Sequence, residues 1–308
     1  MKEASGKTTP RQRAILGVLM LGLLLATVGA AWLLESSSSR RVRAAAEILA
    51  EIRKEGLDSF WPAELEVHWY LAQKDKRIIG WRAAAAGRSQ NGDFLGVDVD
   101  MQGRRQDPVC EQWRLNADAT EGAYTALVRT PLGYRPDTDI TLQRGSVKVV
   151  QHNLPNYQRL QARSPAPENY LPEGLLEPVV RRVAAAGADA QFRLVFNDQP
   201  NPGGVVQYGS YRIRHLGRKT QSEGSWVDRV GVSAGGPRSG HALTYELDEK
   251  GRLLLVSTHQ GLRWTPASEV EVTRVFPRAS DYLLELMPRG LPRPDADLLP
   301  DRLELPDP

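Results

Sequence analysis

A short glycine-rich stretch is the part of this sequence that comes nearest to catalytic machinery. Residues 231–235 read G-V-S-A-G, which matches the G-x-S-x-G turn that carries the nucleophile of many serine hydrolases. Asp248 and His259 follow Ser233, in the chain order Ser, Asp, His that such enzymes can use for a triad. A serine hydrolase that uses Ser233 is therefore one hypothesis for the function.

The residues around Ser233 argue against that hypothesis. A hydrolase turn requires a helix directly after the serine, but the next seven residues, A-G-G-P-R-S-G, contain three glycines and a proline, which oppose helix formation. Asp248 lies in L-D-E-K-G, a composition typical of a turn. We predict that residues 231–241 form a loop between two strands and that the chain has no catalytic residues.

The sequence contains no local motif for a metal or a cofactor. No two of its five histidines are two or four residues apart, it has a single cysteine, Cys110, and its paired glycines lack the spacing of a phosphate-binding loop. We therefore expect no metal and no cofactor. The 40 basic residues are spread along the chain and nearly balanced by 37 acidic ones, a pattern that does not indicate nucleic-acid binding.

One pair of carboxylates could act together. Asp98 and Asp100 are two positions apart in a predicted strand, so they share one face of it. Paired carboxylates can do acid and base chemistry, but the alternating residues Val97, Val99 and Met101 would claim the buried side of the strand. We interpret the two aspartates as part of an outward, solvated face.

Residues 14–34 form an apolar segment of membrane-spanning length. The segment, AILGVLMLGLLLATVGAAWLL, has no charged residue and would span roughly 30 Å as a helix. We predict a single-pass anchor in the cell inner membrane, with residues 1–13 in the cytoplasm and the C-terminal domain in the periplasm or cell exterior. Four basic residues precede the segment and three follow it closely, a small excess that favours this orientation. A cleaved signal peptide is the alternative, because V-G-A at residues 28–30 is an acceptable cleavage site.

Residues 36–57 predict a juxtamembrane helix. The stretch is rich in Ala, Glu and Arg, which favour helices. Its apolar residues fall at helical spacing on one face: Val42, Ala45, Ile48, Leu49 and Ile52. Such a stripe either packs on the following domain or binds a partner or the membrane surface.

Residues 62–287 predict a β-rich domain. From Leu65 onward apolar and polar residues alternate along short segments, and Asn91-Gly92 is typical of a hairpin turn. One internal helix, Glu173–Ala186, has an apolar face and is followed by Gly187. We expect the amphipathic residues 269–286 to pack along an edge of the sheet.

The last residues have a different composition. Residues 288–308 include six prolines, which predicts a disordered tail that could dock a partner.

Three segments of the β-rich region carry a family resemblance: WYLAQKDKRIIGW (69–81), ENYLPEGLLEPVVRRVAAAGADAQFRLVF (168–196) and YELDEKGRLLLVSTHQGLRW (245–264). They resemble an uncharacterised bacterial envelope domain that precedes transglutaminase-like domains in some secreted proteins. The resemblance implies the clamshell fold of lipoprotein carriers, a mainly β half-barrel of curved antiparallel sheet with a helix against its concave face. It does not imply transglutaminase activity, because the Cys, His and Asp of such a domain would have to follow the matching region, where only the proline-rich tail remains.

The aromatic residues of the predicted strands suggest what such a sheet could bind. Most of them should pack in the core, but a half-barrel would expose some along an apolar groove. The candidates for that groove are Trp69, Trp81, Trp113, Tyr124, Tyr211, Trp226, Tyr245 and Trp264. Our leading hypothesis is a membrane-anchored envelope protein whose non-catalytic β-domain binds a lipid, an acyl chain or a segment of a partner protein. A scaffold subunit of a membrane complex and an envelope serine hydrolase are the alternatives, and the oligomeric state is open.

Overall fold

The computed structural model describes residues 20, 37–61, 64–102, 108–131, 133–152, 159–195, 204–220, 225–235 and 242–291. The predicted cytoplasmic tail, nearly all of the apolar segment 14–34 and the residues from 292 onward lie outside this part of the chain. Among the described residues, no helix combines the length and the apolar character needed to cross a membrane.

Fourteen strands make up most of the described chain, which confirms the prediction of a mainly β, antiparallel fold. The strands are β1 (Glu66–Lys74), β2 (Arg77–Arg88), β3 (Phe94–Gln102), β4 (Val109–Leu115), β5 (Gly122–Thr130), β6 (Gly133–Gln143), β7 (Ser146–Gln151), β8 (Leu160–Pro165), β9 (Asp189–Val195), β10 (Tyr208–Thr220), β11 (Trp226–Gly235), β12 (Ala242–Leu247), β13 (Leu253–Thr258) and β14 (Arg263–Ala267). The helices are α1 (residues 37–55), α2 (Leu176–Ala186), α3 (Glu269–Val275) and α4 (Ala279–Leu286).

The strands form one sheet that consists of two meanders joined at its centre. Its order is β8-β7-β6-β5-β4-β3-β2-β1-β14-β13-β12-β11-β10-β9. The chain therefore starts in the middle of the sheet, runs out to one edge, crosses to the other edge through α2, and returns until β14 pairs with β1. Apart from β8 and β9, every two strands that are consecutive along the chain pair with each other, so short turns fix nearly all of the register.

The two edge strands come close together although no ladder joins β8 to β9. The segment after β8 covers β9, because the Leu171 amide donates to the Arg193 carbonyl (2.8 Å) and the Arg193 amide to the Asn169 carbonyl (2.9 Å). The Tyr208 hydroxyl, on β10, donates to the Pro165 carbonyl at 3.0 Å. The sheet must curve strongly for its edges to meet in this way, and the segment after β8 bonds to part of the β9 edge that would otherwise be open to another chain.

Helices α1 and α2 cover the inner face of this curved sheet. The α1 stripe of Ala45, Ile48, Leu49 and Ile52 is buried in the same apolar cluster as the α2 residues Val179, Val180 and Val183 and the sheet residues Phe192, Ile213 and Val230. An ion pair between Glu55 and Arg182 links the two helices. The apolar stripe of α1 thus packs on the domain, which was the first of the two roles predicted for it, the other being to bind a partner or the membrane surface.

Helix α2 begins three residues later than predicted, but it ends at Ala186, as predicted. It begins at Leu176 rather than Glu173, and Pro178 falls in its first turn, where a missing amide matters least. Gly187 terminates it in the left-handed conformation (φ 60°) and donates to the Ala184 carbonyl at 3.1 Å, a conformation that glycine adopts without strain.

Helices α3 and α4 cover the opposite, outer face, so the expectation that residues 269–286 pack along an edge was wrong. Their buried residues Val272, Phe276, Leu283 and Leu286 pack against central strands. The partners on those strands are Trp81, Ala83, Val97, Val99 and Cys110. A capping box between Ser268 and Glu271 begins α3. The centre of the sheet is therefore covered on both faces.

Candidate functional site

An open cavity of about 320 Å³ lies between α2 and the inner face of the sheet. We call it the inner groove. Seven aromatic side chains line its wall: Phe60, Trp61, Tyr70, Trp113, Tyr124, Tyr211 and Tyr245. Its volume is at the lower end of the range of about 300–1,000 Å³ that small-molecule sites occupy. Two cavities of about 410 and 300 Å³ adjoin it, sharing Arg181 and Arg82 with it respectively.

A row of polar residues crosses the floor of the inner groove. Tyr70 on β1 pairs with Arg82 on β2, and Asp98 on β3 pairs with Glu111 on β4. Directly paired residues of antiparallel strands point to the same face, and Arg82 and Asp98 are diagonal neighbours on that face. The register alone therefore places these four side chains in the groove.

Arg82 and Asp98 form a bidentate ion pair in this row. The Arg82 Nε donates to both carboxylate oxygens, at 2.8 and 2.9 Å, and its Nη2 also donates to Oδ2. Burial by itself would lower the pKa of Arg82, but the charge and hydrogen bonds of Asp98 outweigh it and raise that pKa above its ordinary value. The Arg82 and Asp98 side chains are only 29% and 22% exposed. Water therefore screens the pair little, and the charge of Arg82 is balanced by Asp98.

Three further carboxyl groups form no salt bridge with a described basic residue: Glu111 and Glu173 in the groove, and Asp100 in the adjoining cavity of about 300 Å³. Burial raises the pKa of Asp100 and of Glu111, although hydrogen bonds from Gln102 and Tyr124 partly oppose the shift. Burial likewise raises the pKa of Glu173 to about 7. The Tyr170 hydroxyl donates to Glu173 Oε2 at 3.0 Å, whereas Oε1 is shielded from solvent and has no hydrogen-bond partner in the described part of the chain.

The tyrosine hydroxyls of the groove are neutral, and one of them donates a hydrogen bond to a carboxyl group. Burial raises the pKa of Tyr70 and Tyr124 well above the usual value and that of Tyr245 to about 12. Each hydroxyl therefore keeps its proton at neutral pH, and the Tyr124 hydroxyl donates to Glu111.

Glycines hold Trp113 in the wall of the groove. A Cβ on Gly96 would lie 2.2 Å from the Trp113 ring, and a Cβ on Gly174 would lie 2.7 Å from it. Gly174 also has φ +93°, which other residues rarely adopt. The Trp113 and Trp61 rings are 4.8 Å apart between centroids. The absence of a side chain at these two glycines thus lets strand β3 and the turn before α2 both pack closely against the Trp113 indole.

Four of the eight aromatic residues predicted for the groove line it, and two more line the adjoining cavities. Trp113, Tyr124, Tyr211 and Tyr245 belong to the inner groove. Trp264 lines the cavity of about 300 Å³, and Trp69 lines the cavity of about 410 Å³.

Trp81 and Trp226 line none of these three cavities, and Trp69 also packs in the core of the outer face, which corrects the expectation that these residues line the groove. Trp69 and Trp81 belong to the outer-face core, where the Trp81 ring stacks on Tyr282 of α4, because side chains of a strand alternate between its faces. The Trp226 ring is covered by the guanidinium of Arg218, 3.8 Å from its centre.

The prediction that Asp98 and Asp100 lie on an outward, solvated face was also wrong. Both line the cavities on the inner face, whereas Val97 and Val99 pack under α3 and α4. The prediction assumed that only one face of β3 is buried, but helices cover both. No sequence signal singled out Arg82, Glu111 or Glu173, whose roles depend on the register of the sheet and on the position of α2.

The hydrolase residues do not assemble. Ser233 is exposed on β11 beside Ala242, at one end of β12, whereas Asp248 lies in the turn at the other end of that strand. The Asp248 carboxylate accepts hydrogen bonds from the Lys250 and Arg252 amides (2.9 and 2.8 Å). Residues 231–235 are strand rather than loop, and residues 236–241 lie outside the described part of the chain.

The polar row does not form a metal site. Across the described ranges, no group of three or more His, Cys, Asp or Glu side chains is arranged to hold a metal ion. Cys110 is buried on β4, and burial raises its thiol pKa to about 12, which removes the thiolate that reactivity requires.

Comparison with known proteins leaves the site to be interpreted from its own geometry. Neither the models of protein families nor the curated proteins include one that matches this chain.

Proposed function

We propose that this protein is a membrane-anchored envelope protein whose β-domain binds an amphipathic ligand in the inner groove and does not catalyse a reaction. The observation that carries the proposal is the open cavity under α2, walled by aromatic rings and floored by a polar row. Concave sites that combine apolar walls with a few placed polar groups are typical of ligand binding.

The open groove favours binding over a purely structural role. A scaffold would gain stability by filling the space between α2 and the sheet, since protein interiors are normally packed to high density. Here small side chains line that space, among them Ala84 and Ala86 on β2. Buried charges in place of apolar contacts lower stability, so their presence is better explained by recognition of a ligand.

The proposed architecture is the half-barrel of the lipoprotein-carrier type, and the proposed source of the ligand is the membrane. The strongly curved sheet with helices on its inner face supports this resemblance. Residues 14–34 are proposed as the anchor, and α1 is in place by residue 37 and packs on the domain. An anchor that ends so close to α1 would hold the domain at the membrane surface, where an acyl chain could enter the groove.

Native mass spectrometry of the full chain extracted in mild detergent tests this function. We expect a co-purifying small amphiphile, released when the protein unfolds. The variant Ala84→Phe, which adds a ring inside the groove, should lose it, whereas Thr141→Phe, with the same bulk at an exposed strand position, should retain it. A ligand-free spectrum of the wild-type protein, or equal retention by both variants, would contradict the proposal.

A further inference from the structure

We propose that the inner groove selects a ligand whose polar group is a cation, such as a primary alkylammonium, and that it disfavours anionic amphiphiles. This inference rests on the binding function proposed above and specifies the chemical class of the ligand.

The first support is the balance of charge in the groove. Its two guanidinium groups are already paired, Arg82 with Asp98 and Arg181 with Glu177, whose Nη2 and Oε1 atoms are 2.5 Å apart. Glu111 and Glu173 line the same cavity and have no basic partner among the described residues. The carboxyl groups that line the groove therefore outnumber its arginines by five to two. The Arg181 Nε is also buried without a hydrogen-bond partner in the described part of the chain, but its guanidinium is held by Glu177, so the excess of carboxyl groups favours a cation.

The second support is the Glu173 carboxyl group itself. Its Oε2 accepts the Tyr170 hydrogen bond, but its Oε1 is shielded from solvent and unpartnered in the described part of the chain. An unsatisfied buried acceptor lowers stability, so native proteins rarely retain one without a role. An N–H donor on a ligand in the groove would satisfy it.

The third support is the aromatic wall beside these carboxyl groups. Gly174 follows Glu173 directly and packs on the Trp113 ring, and the Tyr124 hydroxyl bonds to Glu111. The face of an aromatic ring attracts a cation, so Trp113 and the two carboxylates favour the same kind of ligand group. The apolar remainder of the ligand would lie along the aromatic and alanine side chains.

The test compares three probes of equal chain length: octylammonium, octanol and octanoate. The full chain, reconstituted in phosphatidylcholine nanodiscs, is titrated with each probe by calorimetry, and empty nanodiscs serve as the blank. We expect octylammonium to bind at least about tenfold more tightly than octanoate, the factor that corresponds to one charge-assisted hydrogen bond. Equal or tighter binding of octanoate would overturn the inference and leave the binding function standing. Failure of all three probes to bind would count against the binding function itself.

Two variants test whether the Glu173 and Glu111 carboxyl groups cause the preference for octylammonium. Glu173→Gln and Glu111→Gln should each lower octylammonium affinity about tenfold and leave octanol affinity unchanged. Glu121→Gln removes the same charge from an exposed position between β4 and β5 and should change neither. If Glu173→Gln and Glu111→Gln both keep full octylammonium affinity and a folded circular dichroism spectrum, the assignment is wrong.

The pH dependence of binding gives an independent readout. The groups that face Glu173 are Tyr170 and Glu111, with Tyr124 and Tyr208 nearby. Because an alkylammonium stays protonated through neutral pH and prefers the ionised carboxylate, octylammonium affinity should rise as the pH passes through about 7. Glu173→Gln should remove that rise, and a rise that persists in this variant would contradict the role of Glu173.

Discussion

At the scale of single residues, the buried ion pair is the feature that most constrains the inner groove. Arg82 and Asp98 stabilise each other at 2.8 Å, but neither would be tolerated there alone. Asp98→Ala should destabilise the protein by about 1–3 kcal/mol, since it leaves the Arg82 charge unpaired. Urea denaturation of the single variant measures this loss.

The double variant separates pairing from packing. Arg82→Met combined with Asp98→Leu should destabilise the protein by less than the sum of the two single variants, because no unpaired charge remains. Strictly additive losses in the four-member cycle would show that the two side chains do not stabilise each other.

The Glu173 carboxyl makes stability depend on pH in a defined direction. Its pKa is about 7 in the folded protein, against an ordinary value of 4.5, so the folded state binds the proton more tightly than the unfolded state. This contribution is complete below pH 4.5 and is lost as the pH rises to about 7, by up to about 3 kcal/mol. In urea denaturation at several pH values, the Glu173→Gln variant should lack this loss. A parallel pH profile for wild type and variant would contradict the assignment.

Residue types alone could not identify these polar groups. Asp98 was noticed because its spacing from Asp100 places both on one face, but the sequence could not say that the other face of β3 packs under α3 and α4. Glu173 was assigned to a helix, although it lies in the turn before α2. The aromatic candidates divided between the two faces for the same reason, since alternation fixes which residues share a face but not which face surrounds a cavity.

At the scale of elements, the periodicity of apolar residues predicted the strands and the helix whose formation depends on local sequence. The alternation from Leu65 onward, the hairpin turn at Asn91-Gly92 between β2 and β3, and the helix that ends at Gly187 correspond to the observed elements. Strands β8 and β14 give a weaker signal in the sequence, because each contains a proline, Pro165 or Pro266. Proline fits these positions, because β8 is an edge strand and the β13 ladder on β14 ends at Trp264, before Pro266.

The close approach of strand β3 to Trp113 yields a prediction at this scale. Gly96→Ala should destabilise the protein by about 1–3 kcal/mol, because the added methyl group overlaps the Trp113 ring, and it should shift the tryptophan emission maximum as the ring moves. Gly231→Ala is the matched control, since its Cβ would meet only the flexible Leu216 side chain, at 3.2 Å. Equal stability of the two variants would show that Trp113 is not held by this contact.

At the scale of the whole molecule, the double covering of the sheet is what the sequence could not show. Antiparallel sheets with one solvated face are common, and the alternating strands suited that interpretation. The actual sheet brings its edges together and carries α1 and α2 on one face and α3 and α4 on the other. These long-range contacts leave an open groove in the interior, whose polar floor would be an unexplained source of instability without a ligand.

The central claim, that a ligand occupies the inner groove, is tested most directly by fluorescence quenching with brominated acyl chains. Trp61 and Trp113 line the groove, whereas Trp226 does not. The account predicts that brominated chains quench the wild-type protein, that Trp61→Phe with Trp113→Phe removes most of the quenching, and that Trp226→Phe leaves it intact. Quenching that survives the loss of both groove tryptophans would place the chains elsewhere and contradict the account.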